Sequence, residues 1–269
     1  YRERFDLRDP DRPFFQVADI QGTVSPISKM IIDTPKDLKR PLFTTRIGDG
    51  LESLSWSEAA RWLIHVHAFD PAGLRSGALG DPRRNPNGTT PPNGPGWAGQ
   101  LGTTYVTSNN LLKTMLLNVV PESFLSASIV DTETDLAPWE LATPTSQCSE
   151  TSSNPTGPVY CLTWQSRRVL LIGDDVHVTG LFLGNGTKTS PQNLQAVETM
   201  SSWRRSSAQE KKLRLPSVFM PVGHKSDVAF WRSLPSLIPQ LNDSDIIPPA
   251  IIVFYRELMR RRLVPRAGI

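Results

Sequence analysis

Cysteine, histidine and long apolar runs are what this chain has least of. Its 269 residues include two cysteines and four histidines. Cys148 and Cys161 are too few for a four-cysteine zinc site, and neither belongs to a C-x-x-C pair. Their spacing leaves a disulfide between them open. His65 and His67 fall two apart on a predicted helix, so their side chains point about 200° apart and cannot share a metal. His177 and His224 are isolated in sequence. There is no H-E-x-x-H and no G-x-S-x-G. No apolar run approaches the ~18 residues a membrane span needs. The chain begins at Tyr1 without a signal-peptide pattern. A cytoplasmic protein without membrane contact, cofactor or metal is expected, and the chain reads as a piece of a longer one.

Proline and tryptophan are abundant instead, at 24 and 7 residues, against an ordinary 18 glycines. Many prolines beside many tryptophans suggest a packed core threaded by long, ordered loops. They argue against a repeat array or a coiled coil. The net charge of +3 is unevenly spread. Residues 200–269 carry 12 Lys+Arg against 5 Asp+Glu, a net +7, which leaves −4 for the rest. A basic stretch of this kind suits a polyanionic partner, and it equally suits a solvated helix face.

Segment 5–16 (FDLRDPDRPFFQ) reads as an extended arm anchored by Phe14 and Phe15. Ser25-Pro26 reads as the capped start of a short helix. Ser55 and Glu58 form a capping box, and Ala59, Trp62, Leu63, Val66 and Phe69 recur on one helical face. Residues 70–102 hold eight Gly and six Pro, and an irregular stretch this long is usually functional or disordered. A helix is predicted in LLKTMLLNVV after Asn109-Asn110.

Strands are predicted at 159–164, 167–172 and 175–183, with a hairpin at Gly173-Asp174-Asp175 and a turn at Gly184-Asn185-Gly186. Helices are predicted from Ser226 to Leu234 and from Pro249 to Leu263. This order is not a regular βαβ alternation. The expected fold class is α+β: one large mixed globular domain over 1–269, with long ordered loops and β-hairpins.

Catalytic constellations are missing. GNGTKT (184–189) lacks the spacing of a phosphate loop. Asp174-Asp175 is better read as a turn than as a divalent-ion pair. Binding is therefore expected over catalysis, with a nucleic-acid enzyme as the weaker alternative.

An ordered set of strings carries a further inference: RFDL (4–7), RPFFQ (12–16), AFDPAGLRSG (68–77), GWAGQLG (96–102), NLLKTMLLN (110–118) and PWE (138–140). LTWQSRRVLLI (162–172), VTGLFLGNG (178–186), PQN (191–193), Trp203-Arg204, Lys211-Lys212 and AFWR (229–232) continue it. In this order they resemble the CasA family, the large subunit of the type I-E CRISPR complex called Cascade.

The resemblance implies a globular domain followed by a C-terminal four-helix bundle, which is expected to lie outside this chain. It implies no zinc, because the cysteines of zinc-bearing relatives are missing. It implies a non-enzymatic subunit of a ribonucleoprotein in antiviral defence. Its partners would be double-stranded target DNA carrying a short flanking motif (the PAM), guide RNA, the other Cascade subunits and a recruited helicase-nuclease. A scaffold subunit that does not read the PAM is the alternative.

Site residues carry over position by position. The family's glycine loop falls on Ala72 to Gly77, giving Gly73, Leu74, Arg75, Ser76 and Gly77 as DNA-binding candidates. The lysine finger falls on Lys188, just past the expected turn at 184–186. Phe43, Thr44 and Thr45 fall on a segment near the guide RNA, although Thr45 stands where the family often has Asn. The glutamine wedge would lie beyond Ile269.

Overall fold

The computed structural model describes residues 1–32, 34, 46, 48–121, 133–147, 153–223, 229, 234, 237–238 and 245–263. The chain divides into two compact units. The first is Tyr1–Gly99, Leu136–Ser153 and Thr163–Thr189; the second is Gln100–Asp135, Asn154–Leu162 and Ser190–Ile269. The mixed α+β class expected from the sequence is the class observed.

The first unit is built around one long strand. Its elements are β1 (Ser25–Pro26), α1 (Asp49–Glu52), β2 (Leu54–Ser55), α2 (Trp56–Phe69), β3 (Arg75–Ser76), β4 (Thr89–Thr90), β5 (Arg167–Gly173) and β6 (His177–Asn185). β6 pairs antiparallel with β5 along one edge, from Arg167↔Asn185 to Gly173↔Val178. The other edge takes β1 at Leu181 and Gly180, then β2 at Val178 and His177. The Asp174 carboxylate accepts from the amides of Val176 and His177 at 2.8 and 2.7 Å, which makes the predicted β5–β6 turn an Asx turn.

Strand alternation sends Val169 and Leu171 inward with Leu181 and Leu183, and the register shift at Ile172/Gly173 brings Val178 to the same side, where they meet Ala59, Leu63 and Val66 of α2. The N-terminal arm closes over this core. Val17 donates to the Val169 carbonyl at 2.9 Å, and buried Gln16 accepts from the Leu171 amide at 2.7 Å. Phe5, Phe14 and Phe15 gather around Trp139 with ring centroids 5.2 to 5.8 Å from it.

Several local expectations change in three dimensions. The short helix expected from Ser25 begins two residues later, as a 3₁₀ helix (Ile27–Met30) with Pro26 and not Ser25 at its cap. Ser25-Pro26 itself pairs with β6, where proline's missing N–H is tolerated. Ser55 caps α2 by accepting from the Glu58 amide at 3.3 Å. Glu58 does not complete the box, because its carboxylate is taken by Arg46 and by the Trp62 indole. Phe69, placed by periodicity on the apolar face, is 49% exposed.

The Gly184-Asn185-Gly186 turn is absent. β6 continues through Asn185, because β5 supplies ladder partners up to that residue.

His67 lies fully enclosed on α2. Its Nε2 donates to the Phe15 carbonyl at 2.9 Å. Burial pushes its pKa from the ordinary 6.5 down to about 4, with the charges of Arg167 and Arg168 adding to the effect. The native state therefore holds the neutral ring, while the unfolded chain takes up a proton below pH ~6.5. Stability should fall as pH drops from about 6.5 to about 4 and level off below. This residue's share is on the order of 2–3 kcal/mol between pH 7.5 and pH 4.5. Urea midpoints of wild type and His67→Gln at both pH values check this. The variant should be weaker at neutral pH yet lose less on acidification. Equal acid losses in the two proteins would assign the sensitivity to other groups.

The second unit holds α3 (Leu111–Leu117), α4 (Pro158–Leu162), β7 (Trp203–Arg205), α5 (Ser207–Leu213), β8 (Phe219–Pro221), β9 (Ile246–Ile247) and α6 (Ala250–Arg260). β7 lies between β8 and β9, all antiparallel. The predicted helices at LLKTMLLNVV and after Pro249 are present, and Pro249 is the cap of α6 instead of a first-turn residue. The apolar run at 159–164 is not a strand. Its first part is α4, whose Val159 and Tyr160 amides are capped by Asp135 at 3.0 and 2.8 Å. A carboxylate distant in sequence satisfies the helix start. Cys161 is a buried free thiol on α4, and burial pushes its pKa upward. Cys148 and most of the predicted helix from Ser226 to Leu234 lie outside the described residues.

Candidate nucleic-acid interface

The glycine-rich stretch after α2 is ordered by that helix's own C-terminus. The last carbonyls of a helix have no partner within it. Here those of His67, Ala68 and Asp70 accept from the amides of Trp97, Ala98 and Gly96 at 3.1, 2.9 and 2.8 Å. A Cβ on Gly96 would sit 2.4 Å from the Ala68 carbonyl carbon, so only glycine fits. The long loop thus returns to its starting point.

Its first part, from Pro71 to Leu74, stands out as a short exposed tip, with Leu74 60% exposed. β3 follows and pairs with β4 through Arg75↔Thr90 and Ser76↔Thr89. Of the candidate loop residues, Leu74 is exposed, Gly73, Arg75 and Ser76 are half-buried, and Gly77 is buried under the Arg84 side chain.

Arg75 turns inward. Its guanidinium donates to both carboxylate oxygens of Asp70 at 2.8 to 3.1 Å. It also donates to the carbonyls of Pro71 and Leu74 at 2.7 and 3.1 Å. Asp70 is shared with Arg167, whose Nε donates to it at 2.5 Å. The Arg167 side chain is fully buried and also reaches Asn93 and the carbonyls of Ser166, Asp70 and Gly94. Burial lowers its pKa, and the Asp70 carboxylate opposes that shift.

Lys188 follows the end of β6 in a loop, not at a hairpin tip. Its carbonyl accepts from the Ser153 amide at 3.0 Å, and the preceding Thr187 carbonyl accepts from the Trp164 indole at 3.2 Å. The side chain is exposed.

The same end of β6 carries the ties to the glycine loop. Buried Asn185 donates to the carbonyls of Pro91 and Gly73 at 2.9 and 3.4 Å. Arg83 donates to the carbonyls of Asn185 and Gly186 at 2.7 and 3.0 Å while paired with Asp81. The structure therefore ties the loop tip to the end of β6 at Asn185, three residues before Lys188, whose own carbonyl is held by the Ser153 amide. The exposed tip and the exposed Lys188 side chain suit charge attraction to a polyanion.

The framework residues Asp70, Asn93, Arg83, Arg167 and Asn185 were not among the sequence candidates. One signal was available for Arg167. It holds the same strand parity as Val169 and Leu171, so it had to be buried, and a buried guanidinium demands a carboxylate.

Phe43, Thr44 and Thr45 lie outside the described residues. Among the described residues no group of three or more His, Cys, Asp or Glu side chains is placed to hold a metal. No helix among them is long and apolar enough to cross a membrane. In the basic 200–269 stretch, Arg205 is paired with Glu210 and Asp245, and Arg260 and Arg261 with Glu257. Arg204, Lys211, Lys212 and Arg214 are exposed.

Comparison with known proteins bears on this geometry. The sequence profile of the family described as CRISPR-associated protein Cse1 matches residues 1–267. CRISPR-associated protein CasA/Cse1 of Thermus thermophilus is 27% identical over 247 residues, which is 89% of this chain and 43% of that protein. The crystal structure of Thermobifida fusca Cse1 aligns with a TM-score of 0.85 at 37% identity, covering 98% of this chain and 51% of that one. A chain of a CRISPR RNA-guided surveillance complex shares the fold, with a TM-score of 0.66 at 18% identity over 94% of this chain and 48% of its own length. The chain thus spans about half the length of these relatives.

Proposed function

We propose, since the chain belongs to the CRISPR-associated protein Cse1 family, that it serves in a guide-RNA surveillance complex as the part that meets target DNA. In this reading the guide RNA selects the target by base pairing, and the protein reads only the short motif flanking it on the duplex. The exposed tip from Pro71 to Leu74 approaches the minor groove, and Lys188 extends into it. The minor groove offers mostly acceptors, which a lysine ammonium and backbone amides can satisfy. Its degenerate pattern makes the reader tolerant of several motifs. The subunit performs no chemistry itself. The remaining Cascade subunits, the guide RNA and a recruited helicase-nuclease are its partners in the cytoplasm.

The observation that most supports this reading is the common framework at the end of β6. Two short elements far apart in sequence are held there in one unit, with the loop tip and the Lys188 side chain exposed.

Lys188→Ala tests it. Folding should be nearly unaffected, since a surface substitution usually changes stability within ~0.5 kcal/mol. Binding of the assembled complex to a duplex with the correct flanking motif should weaken by about 1–3 kcal/mol. A duplex with a scrambled motif should lose less, because a phosphate-only contact would weaken both alike. Both duplexes are titrated at one salt concentration. Equal losses would make Lys188 a backbone contact and favour the scaffold reading. No loss on either would remove Lys188 from the interface.

A further inference from the structure

Arg75 sits within the loop assigned to DNA, and a cation there invites reading as a phosphate contact. Its surroundings are those of an internal clamp. The side chain is 10% exposed, and the carboxylate it grips is 7% exposed. One nitrogen, Nη2, bonds both Asp70 and the Pro71 carbonyl, while Nη1 takes the Leu74 carbonyl. The guanidinium therefore bridges the two ends of the tip from Pro71 to Leu74. Asp70 cannot swing away, because Arg167 holds it from the strand side and is itself fully buried.

Gly73 records the same clamp. A Cβ there would lie 2.8 Å from the Arg75 Nη1. Open space for DNA is one reason for a glycine at this position, and room for the arginine is a second, visible one.

We propose that Arg75 is a positioning residue, held by the Asp70–Arg167 pair, that sets the shape of the tip and does not itself touch nucleic acid. This rests on the reading of the tip as a DNA contact. Lysine keeps the charge of Arg75 but has no planar fork with which to bridge a carboxylate and two carbonyls. Arg75→Lys and Arg75→Ala should therefore fail alike, whereas a phosphate contact would survive largely in the lysine variant.

The test uses both variants in the assembled complex, after confirming assembly and cooperative unfolding well above the assay temperature. Thermolysin nicking before Leu74 reports on the tip, independently of any DNA role. Binding to correct and scrambled flanking motifs, across a salt series, reports on function. Both variants should be nicked faster than wild type. Both should lose preference for the correct motif by roughly 5- to 150-fold, with the salt slope unchanged.

A wild-type nicking rate and motif preference in Arg75→Lys would overturn the clamp. So would a salt slope smaller by about one in Arg75→Ala, the mark of a lost phosphate contact. Faster nicking with an intact motif preference would keep the clamp and overturn the assignment of the tip to DNA.

Discussion

Asp70→Ala should destabilise the first unit by about 3–5 kcal/mol, the usual cost of stripping one partner from a buried ion pair. The substitution removes the one carboxylate that, among the described residues, the Arg75 and Arg167 guanidiniums share. Both would remain enclosed, still bonded to backbone carbonyls, with like charges facing each other across the space Asp70 had filled. Water reaches this site poorly, because the Arg167 side chain has no exposed surface.

The double variant Asp70→Ala/Arg167→Met separates charge from packing. Replacing a buried pair by apolar groups is often close to neutral, so the second change should recover part of the loss. The two effects should therefore be non-additive by about 0.5–3 kcal/mol. Urea unfolding of the wild type, both single variants and the double variant measures this. A loss below ~1 kcal/mol in Asp70→Ala would mean that the arginines find other partners, and it would weaken the clamp proposed for Arg75.

Trp203→Ala should cost a similar ~3–5 kcal/mol in the second unit. Trp203 is 1% exposed on β7, the central strand of its sheet, and its indole donates to the Glu198 carbonyl at 3.1 Å. Glu198 is itself buried, and its side chain accepts from the amides of Met200 and Ser201 at 2.9 and 3.2 Å. Burial raises the pKa of that carboxyl, while those bonds pull it down.

Truncating the indole would leave a large void and a loop without its anchor. Trp203→Phe keeps most of the volume and loses only the donor, so it should cost about 1–3 kcal/mol, the penalty for an unsatisfied buried acceptor. The half-buried Trp139 of the first unit supplies the contrast, because Trp139→Ala should cost less than Trp203→Ala. Equal losses at the two tryptophans would mean that full burial of Trp203 contributes no more than the half-burial of Trp139.

Local chemistry was enough for some elements. The start of α2 is legible because Ser55 satisfies an orphan amide within its own turn. The β5–β6 hairpin is legible because Asp174 turns the chain with its own carboxylate between two strand-like runs. The CasA resemblance is legible because twelve short motifs keep one order along the chain.

Other features depend on groups distant in sequence. α4 forms where β-branched and aromatic residues suggested a strand, because Asp135 caps it from 24 residues away. β6 runs through a Gly-Asn-Gly signal because β5 offers ladder partners as far as Asn185. Arg75 is a DNA-binding candidate by resemblance, and in the fold its guanidinium turns inward onto Asp70, which Arg167, 97 residues on, also holds. Sequence alone thus determined the class of the fold, helices α2, α3 and α6, the central hairpin and the family likeness, all carried by neighbours along the chain. Only the tertiary structure decided which charges face inward and where the loop tip and Lys188 are anchored, because burial and long-range hydrogen bonds set both.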